Sequence, residues 1–156
     1  MTNKKVCVVC FANFCRSPVA EHLLKNRFKN EGIIFTSAGI SPLPAANMDK
    51  RSQEYLKNRG INYIHNPRQI KKSIVDESSL ILALDIHILN HLNKSYPKNY
   101  SKIKLFNFKH PGLPIFDPFK LKDLQDYTNI MDRIDDVCNS FIVEDFLTLP
   151  QNSKKN

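Results

Sequence analysis

Short apolar runs alternate with longer segments of helical spacing along the chain. Residues 4–10 (KKVCVVC) and 33–39 (IIFTSAG) are apolar, largely β-branched runs typical of buried strands. Residues 79–85 (SLILALD) and 102–106 (KIKLF) are apolar in the same way. The pattern therefore predicts four short strands, separated by segments long enough to form helices.

The first segment between strands, residues 17–32, has helix signals at both ends. Ser17 suits the N-cap and Pro18 suits the first helical position, while Gly32 suits the stop. Between them, apolar residues recur at helical spacing. We therefore expect a helix that is capped by Ser17 and closed by Gly32.

Three later segments are also predicted to be helical. Residues 48–60 end in a glycine, residues 86–92 form a shorter helical stretch, and residues 121–146 have apolar positions that step by three and four. Strands that alternate with helices in this way form a parallel sheet. The prediction is an α/β fold: a three-layer, doubly wound, flavodoxin/Rossmann-like sheet of four parallel strands with helices on both faces.

The length of the chain fits one domain. Its 156 residues are enough for a single hydrophobic core. No internal repeat or linker interrupts the pattern, whereas PQNSKKN at the end has the composition of a disordered segment. We expect one domain over residues 1–149 and a flexible tail over residues 150–156.

The net charge narrows the range of partners. A formal charge of +8 at pH 7 favours an anion such as a phosphate, a nucleic acid or a membrane surface, although a solvated lysine-rich surface explains it equally well. Basic and aromatic residues are not interleaved as in nucleic-acid-binding segments. No apolar stretch approaches the length of a membrane span. We therefore expect neither nucleic acid nor membrane as a partner.

Three of the four cysteines lie close together. Cys7, Cys10 and Cys15 fall within nine residues, unlike the cysteines of a secreted disulfide framework. Cys7 and Cys10 form a Cys-x-x-Cys, but positions three apart on a strand face opposite sides, so we expect Cys7 in the core. A structural zinc would need two more ligands at suitable spacing, which the sequence does not offer. We expect a reducing, cytoplasmic location, no metal and no cofactor.

The loop after the first strand is the candidate site. Ligands of open α/β sheets bind at the carboxyl ends of strands, and residues 10–17 (CFANFCRS) follow the first strand. Backbone N–H groups at the start of a helix favour an anion, and the planar fork of Arg16 can hold two phosphate oxygens. The same positive field favours the thiolate of Cys10, which would face the bound phosphate as a nucleophile.

At these residues the sequence resembles the low-molecular-weight protein tyrosine phosphatases. The similarity rests on Cys-x5-Arg-Ser at 10–17 and on four further motifs in the order and spacing of the family. These are TSAG at 36–39, HNPRQ at 65–69, LALD at 82–85 and DPF at 117–119. The resemblance implies the phosphotyrosine phosphatase I-like fold. It also implies hydrolysis of phosphotyrosine through a phosphocysteine intermediate.

The resemblance implies a role for each matching residue. Cys10 would be the nucleophile, Arg16 would bind phosphate, and Asp117 would be the general acid and then the general base. Ser17 would donate a hydrogen bond to the thiolate. The phosphate-binding residues would be Phe11, Ala12, Asn13, Phe14, Cys15, Arg16 and Ser17. The residues that support the loop would be Asn13, Ser37 and His65, with Asp85 as a structural partner.

Several residues depart from the family or bear on specificity. Ala12 stands where the family usually has glycine, which would cost about 1 kcal/mol if its φ were positive. Phe11 and Phe119 are expected to form the walls around an aromatic ring, with Leu43 at the rim. Phe14 is expected to line the cradle, where arginine phosphatases of this family have threonine, and so to favour phosphotyrosine. The alternative is that Phe14 faces the core and discriminates nothing.

Other functions stay open as alternatives. A non-catalytic phosphotyrosine-binding module is suggested only by Ala12. Protein arginine phosphatases are close relatives, and arsenate reductases share the fold, although the thioredoxin-coupled kind needs a further cysteine pair. The expected partner is a phosphotyrosine-containing protein, with a bacterial tyrosine kinase as the analogy, and the expected state is a monomer or weak dimer. We also expect peroxide to join Cys10 and Cys15 reversibly, unless Cys15 only packs the loop.

Overall fold

The protein folds into a four-stranded parallel sheet with helices on both faces. The structure is a computed structural model that describes residues 4–41, 47–112 and 114–150. Leu43 and the tail from residue 151 onward lie outside the described residues. The strands are β1 Lys4–Cys10, β2 Ile33–Gly39, β3 Leu80–Ala83 and β4 Ile103–Leu105. The helices are α1 Ser17–Arg27, α2 Lys50–Lys57, α3 Lys72–Glu77, α4 Ile86–Ser95, α5 Leu124–Ser140 and α6 Glu144–Leu147.

The strand order places β1 inside the sheet. The order is β2-β1-β3-β4, and all neighbouring strands are parallel, which confirms the predicted architecture. Val8 of β1 pairs with Ser37 of β2 on one side and with Leu82 of β3 on the other. Because the chain leaves β1 for one side and later returns on the other, the carboxyl end of β1 is the switch point where such sheets bind ligands.

Alternate residues of β1 enter two different cores. Val6, Val8 and Cys10 belong to the larger hydrophobic cluster, which includes residues of α1, α2, α5 and α6. Cys7 and Val9 belong to the second cluster, formed with residues of α3 and α4. Strand alternation therefore buries Cys7 on the face opposite to Cys10, as expected.

The helix α1 differs from its predicted form at both ends. It ends at Arg27 rather than at Gly32, because Phe28 leaves the helical conformation and Asn30 and Gly32 take positive φ values of 74° and 71° in the following turn. Ser17 is the first helical residue and Arg16 occupies the N-cap position, where no side chain caps the helix. The Ser17 hydroxyl has a different partner, the thiol of Cys10.

The predicted helix over residues 121–146 is two helices. Asp123 caps α5 by accepting a hydrogen bond from the Asp126 N–H over 2.9 Å, so the helix begins at Leu124. Phe141 is extended and fully buried, which ends α5 and separates it from α6. Within residues 4–41, 47–112 and 114–150, every helix is too short or too polar to cross a membrane.

Candidate active site

The loop between β1 and α1 is held against the end of β2. Backbone N–H groups of Ile40 and Ser41 donate to the carbonyls of Cys10 and Phe11 over 3.2 and 2.8 Å. A Cβ atom added at Gly39 would lie 2.7 Å from the Asn13 nitrogen. Since side chains do not approach backbone so closely, only glycine lets the loop pack here.

Asn13 carries the unusual backbone conformation of the loop. Its φ is 51°, in the left-handed region that asparagine tolerates better than most residues. Ala12 is not among the residues with positive φ, so the strain considered for its side chain does not arise. The positive φ in this loop thus falls on Asn13, one residue after Ala12.

The buried side chain of Asn13 is the centre of a hydrogen-bond network. Its Nδ2 donates to the hydroxyls of Ser17 and Ser37 over 2.8 and 2.9 Å, and its Oδ1 accepts from the Arg68 N–H over 3.0 Å. The His65 Nε2 donates to the backbone carbonyl of Asn13 over 3.0 Å. The structure therefore brings together Asn13, Ser37 and His65, and these bonds hold the left-handed turn in place.

Cys10 lies at the carboxyl end of β1 with its sulfur beside the start of α1. The distance from the Cys10 Sγ to the Ser17 Oγ is 2.9 Å. The Ser17 hydroxyl accepts a hydrogen bond from the Asn13 amide, so its own proton remains available for the sulfur. The hydroxyl is therefore arranged to stabilise a negative charge on Cys10.

Arg16 is held in place by groups from two other parts of the chain. Its side chain is 2% exposed, and its Nη1 donates to the Asp85 Oδ2 over 2.8 Å and to the Ile115 carbonyl over 2.7 Å. Asp85 also caps α4 through the Ile88 N–H at 2.9 Å. The guanidinium is thus oriented by β3 and α4 and by the loop before α5.

A cavity of about 380 Å³ opens over this loop. Its lining residues are Cys10, Phe11, Ala12, Cys15, Arg16, Asp117, Phe119 and Lys120. A thiol, a guanidinium and a carboxylate therefore meet around one space, although they come from distant parts of the sequence. Such a set can accept a phosphoryl group on sulfur and exchange a proton with the departing oxygen.

Asp117 and Phe119 reach the cavity from the irregular segment before α5. Asp117 is exposed, and its Oδ1 accepts a hydrogen bond from the Phe119 N–H over 3.1 Å. Phe11 and Phe119, which are 52% and 48% exposed, stand as apolar walls of the cavity. Lys120 adds a positive charge to the lining that the sequence analysis did not assign to the site.

Phe14 differs from its expected position. Its side chain is not among the residues that line the cavity and instead packs against the larger hydrophobic core. Its ring lies edge-on to the ring of Phe119, with centroids 6.1 Å apart. Phe14 therefore affects the cavity through its contact with Phe119, whose ring forms one of the walls.

Cys15 is the second thiol of the cavity. It is 5% exposed, and burial raises its pKa to about 12, so the thiol is protonated at neutral pH. Its Sγ lies 3.8 Å from the Asp49 Oδ2. Cys10 and Cys15 therefore share a cavity, but the thiol of Cys15 is held in its neutral form.

Glu21 of α1 extends the network through Ser37, although no role was predicted for it from the sequence. Its Oε1 accepts a hydrogen bond from the Ser37 hydroxyl over 2.5 Å, and its Oε2 accepts one from the Lys25 Nζ over 2.6 Å. Burial raises the pKa of this carboxyl, but the bonds from Lys25 and Ser37 outweigh it and hold the pKa below its usual range. The sequence did contain a signal for this role, because Glu21 lies on the apolar face of a helix, between Ala20 and Leu24, where a charged residue needs a partner.

Comparisons with known proteins agree with this architecture. The model of the family described as low molecular weight phosphotyrosine protein phosphatase matches residues 5–154. A curated relative from Acinetobacter johnsonii, named low molecular weight protein-tyrosine-phosphatase Ptp, is 31% identical over 122 residues, which are 77% of this chain and 83% of the relative.

Two solved structures extend the similarity to the fold. The YwlE arginine phosphatase of Geobacillus stearothermophilus superposes with a TM-score of 0.83 at 25% identity, over 93% of this chain and 94% of that one. Vibrio vulnificus Wzb, solved with benzylphosphonate, superposes with a TM-score of 0.80 at 25% identity. That comparison covers 90% of this chain and 97% of the Wzb chain.

Proposed function

This chain belongs to the low molecular weight phosphotyrosine protein phosphatase family, and we propose that it hydrolyses phosphotyrosine in proteins with Cys10, Arg16 and Asp117 as its catalytic residues. The observation that carries the assignment is that all three side chains line one cavity at the carboxyl end of β1. The thiol of Cys10 lies next to a hydroxyl that can stabilise its anion, and the cavity has aromatic walls.

In the first step the phosphate group lies in the loop, against the backbone N–H groups and the guanidinium of Arg16. The thiolate of Cys10 attacks phosphorus, so an S–P bond forms as the bond between phosphorus and the tyrosine oxygen breaks. Asp117 gives its proton to that oxygen, because a neutral phenol is a much better leaving group than a phenolate. The products are phosphocysteine, tyrosine and the carboxylate of Asp117.

In the second step water replaces sulfur on the phosphorus. The Asp117 carboxylate takes a proton from the attacking water, a P–O bond forms and the S–P bond breaks. The electron pair returns to Cys10 as a thiolate, to which the Ser17 hydroxyl can donate. Inorganic phosphate leaves, and the acid, thiolate and loop are restored for the next cycle.

Arg16 and its partners supply the electrostatic part of the mechanism. Phosphoryl transfer spreads negative charge over the phosphate oxygens, which a fixed guanidinium stabilises without reorganisation. The bonds to Asp85 and to the Ile115 carbonyl hold the guanidinium plane before substrate arrives. The Asn13 network with Ser37 and His65 does the same for the loop amides.

A second candidate is hydrolysis of phosphoarginine. It is favoured by a relative from Geobacillus stearothermophilus named protein-arginine-phosphatase, 30% identical over 67% of this chain. The apolar walls of the present cavity weigh against it, since a guanidinium placed between Phe11 and Phe119 would lose water without gaining a hydrogen bond from them.

The family assignment also bears on the substrate, the oligomeric state and the location of the protein. We propose a phosphotyrosine-containing protein as substrate, with a bacterial tyrosine kinase as the partner expected by analogy, and a monomer or weak dimer as the working state. A cytoplasmic location is supported by four cysteines that are all free thiols and buried. The two free thiols that line the cavity, Cys10 and Cys15, further support inactivation of Cys10 by oxidation.

The test is turnover of p-nitrophenyl phosphate and of a phosphotyrosine peptide by the full chain and by Cys10→Ser. We expect turnover in the unmodified protein and none in the variant, which should still bind the peptide because the loop and Arg16 remain. Cys138→Ala, at a buried thiol outside the cavity, is the matched control and should keep activity. Peptide binding without turnover by the unmodified protein would instead establish a binding module.

A further inference from the structure

A second cavity, of about 270 Å³, lies beside the network that supports the loop. It shares no lining residue with the cavity over Cys10. Three of its lining residues, Glu21, His22 and His65, are buried and offer ligand atoms that all lie within 4.8 Å of one another. The network that supports the loop uses the Glu21 Oε1 and the His65 Nε2, whereas the proposed reaction gives no role to the Glu21 Oε2 or to either nitrogen of His22.

His22 is the most unusual member of this cluster. It is 2% exposed, and among the described residues neither of its ring nitrogens has a hydrogen-bond partner. Its ring stacks on Tyr63, with centroids 4.5 Å apart and planes inclined by 11°. Buried polar groups are nearly always paired, so an oriented imidazole with two unpaired nitrogens points to a ligand.

His65 is oriented as a metal-binding histidine usually is. Its Nε2 donates to the Asn13 carbonyl over 3.0 Å, and since a carbonyl only accepts, the ring proton is on Nε2. The lone pair is therefore on Nδ1. Histidine ligands in metal sites typically donate their second nitrogen to a carbonyl or carboxylate in this manner.

Glu21 supplies a carboxylate whose charge is already matched by a cation. Its Oε2 lies 3.7 Å from the His22 Nδ1 and 2.6 Å from the Lys25 Nζ. The Lys25 side chain is 37% exposed, so it can turn towards solvent. The Oε1 of Glu21 stays fixed by the Ser37 hydroxyl, which leaves Oε2 free to exchange an ammonium group for another cation.

We propose that Glu21, His22 and His65 form a binding site for one divalent transition-metal ion of the Zn²⁺ type. Two imidazoles and one carboxylate are a donor set that suits zinc, whereas Mg²⁺ and Ca²⁺ prefer oxygen alone. A tetrahedral site places ligand atoms about 3.3 Å apart, so the three side chains close around the ion while Lys25 leaves. Water completes the coordination.

The site is coupled to the phosphate-binding loop through three hydrogen bonds. Glu21 accepts from Ser37, which accepts from Asn13, and His65 donates to the Asn13 carbonyl. A metal ion held by Glu21 and His65 therefore restrains two of the groups that support the loop. Two of the three ligands, Glu21 and His22, are consecutive residues of α1, while His65 comes from a distant segment. The sequence therefore contains no metal-binding motif with regular ligand spacing at this site.

The experiment is a titration of the metal-free full chain with Co²⁺ alone, followed by visible absorption and competition with Zn²⁺. We expect one equivalent of Co²⁺, with d–d bands and without the charge-transfer band of a cobalt–thiolate bond. His22→Gln should weaken binding by at least about tenfold. Lys25→Gln should tighten it, because it removes the competing cation while leaving all three ligands. His87→Gln, at an exposed histidine of α4, is the matched control and should change nothing.

Several results would overturn the proposal. A thiolate charge-transfer band that disappears in Cys10→Ser would place the ion at the other cavity. Unchanged affinity in His22→Gln, or in Lys25→Gln, would remove the cluster as the site. Because the readout is metal absorption rather than turnover, failure here leaves the phosphatase assignment untouched. The Lys25 variant, altered at a partly exposed side chain, keeps the test decisive if His22→Gln folds poorly.

Discussion

The Ser17 Oγ lies 2.9 Å from the Cys10 Sγ, and a third residue leaves the Ser17 hydroxyl proton available for the sulfur. Asn13 Nδ2 can only donate, so Ser17 accepts from it and keeps its own proton, which it donates when Cys10 is a thiolate. The contact matters most when the S–P bond breaks, because the full negative charge then returns to Cys10. The hydroxyl thus acts on the second step more than on the first.

The first prediction is that Ser17→Ala slows hydrolysis of the phosphocysteine. A hydrogen bond to a charged group contributes about 1.5–3 kcal/mol, which corresponds to a loss of about ten- to a hundredfold in that step. Phosphocysteine should accumulate, so rapid mixing with p-nitrophenyl phosphate should show a burst of nitrophenol larger than in the unmodified protein. Ser101→Ala, at an exposed serine, is the control. A slower burst with no accumulation would mean that Ser17 acts on the first step instead.

The second prediction concerns Asp117. Replacing it by asparagine removes the proton donor, which should cost about a hundred- to ten-thousandfold with a poor leaving group. The loss should shrink along a series of aryl phosphates as the phenol becomes more acidic, because a stable phenolate leaves without a proton. The measurement is kcat/KM over that series, because kcat/KM reports the steps up to departure of the phenol, with Asp136→Asn, at another exposed aspartate, as the control. An equal loss for all phenols would remove Asp117 from the acid role.

The sequence was sufficient to predict the architecture because strands and helices leave local signals. The apolar run at 4–10 matches β1 residue for residue, and the run at 33–39 matches β2. Helix ends were less predictable. Ser17 and Gly32 have the right chemistry for caps, but the Ser17 hydroxyl is recruited by a thiol and an amide, and the turn before Gly32 begins at Phe28.

Contacts between distant segments of the site left no such signal. The Ile115 carbonyl that orients Arg16 is a backbone group of an irregular segment, and any residue type would provide it. Glu21 belongs to the buried face of a helix, and only the assembled network gives its carboxylate partners. The left-handed residue of the loop proved to be Asn13 rather than Ala12, a difference that depends on how the loop packs on Gly39.

The third prediction is that peroxide links Cys10 to Cys15 more efficiently as pH rises. Peroxide oxidises the Cys10 thiolate to a sulfenic acid, and the thiolate of Cys15 must then attack its sulfur, so that the S–S bond forms as the S–O bond breaks and the hydroxide that leaves takes a proton from solvent. Burial raises the pKa of Cys15 to about 12, so its thiolate fraction grows about tenfold for each pH unit across the neutral range. The ratio of disulfide to sulfinic acid at Cys10 should rise with pH at fixed peroxide concentration.

Mass spectrometry of quenched samples between pH 6 and pH 9 measures this ratio directly, and dithiothreitol should restore activity only to the disulfide form. Cys138→Ala is the control, because that thiol lies outside the cavity. Over-oxidation of Cys10 at every pH, with no bridge, would leave Cys15 as a residue that packs the loop.

The final prediction addresses substrate choice and rests on Phe119 rather than on direct contact by Phe14. The cavity walls are Phe11 and Phe119, and Phe14 supports Phe119 edge-on from the core side. An aryl phosphate gains apolar contact from these walls, whereas the N–H groups of phosphoarginine find no hydrogen-bond acceptor on them. Phosphoserine is too short to place its peptide outside the cavity while its phosphate reaches the loop. We therefore expect kcat/KM to be highest for a phosphotyrosine peptide.

Two variants distinguish the effect of the cavity wall, Phe119, from that of the residue that supports it, Phe14. Phe119→Ala removes an aryl contact, so kcat/KM for phosphotyrosine should fall, by about tenfold for a loss of 1–1.5 kcal/mol, while phosphoarginine turnover changes little. Phe14→Thr should give a smaller loss in the same direction, because Phe119 stays but is less firmly placed. Phe116→Ala, at an exposed ring that does not line the cavity, is the control. Equal kcat/KM for phosphotyrosine and phosphoarginine peptides in the unmodified protein would refute a role for the aromatic walls in selecting the substrate.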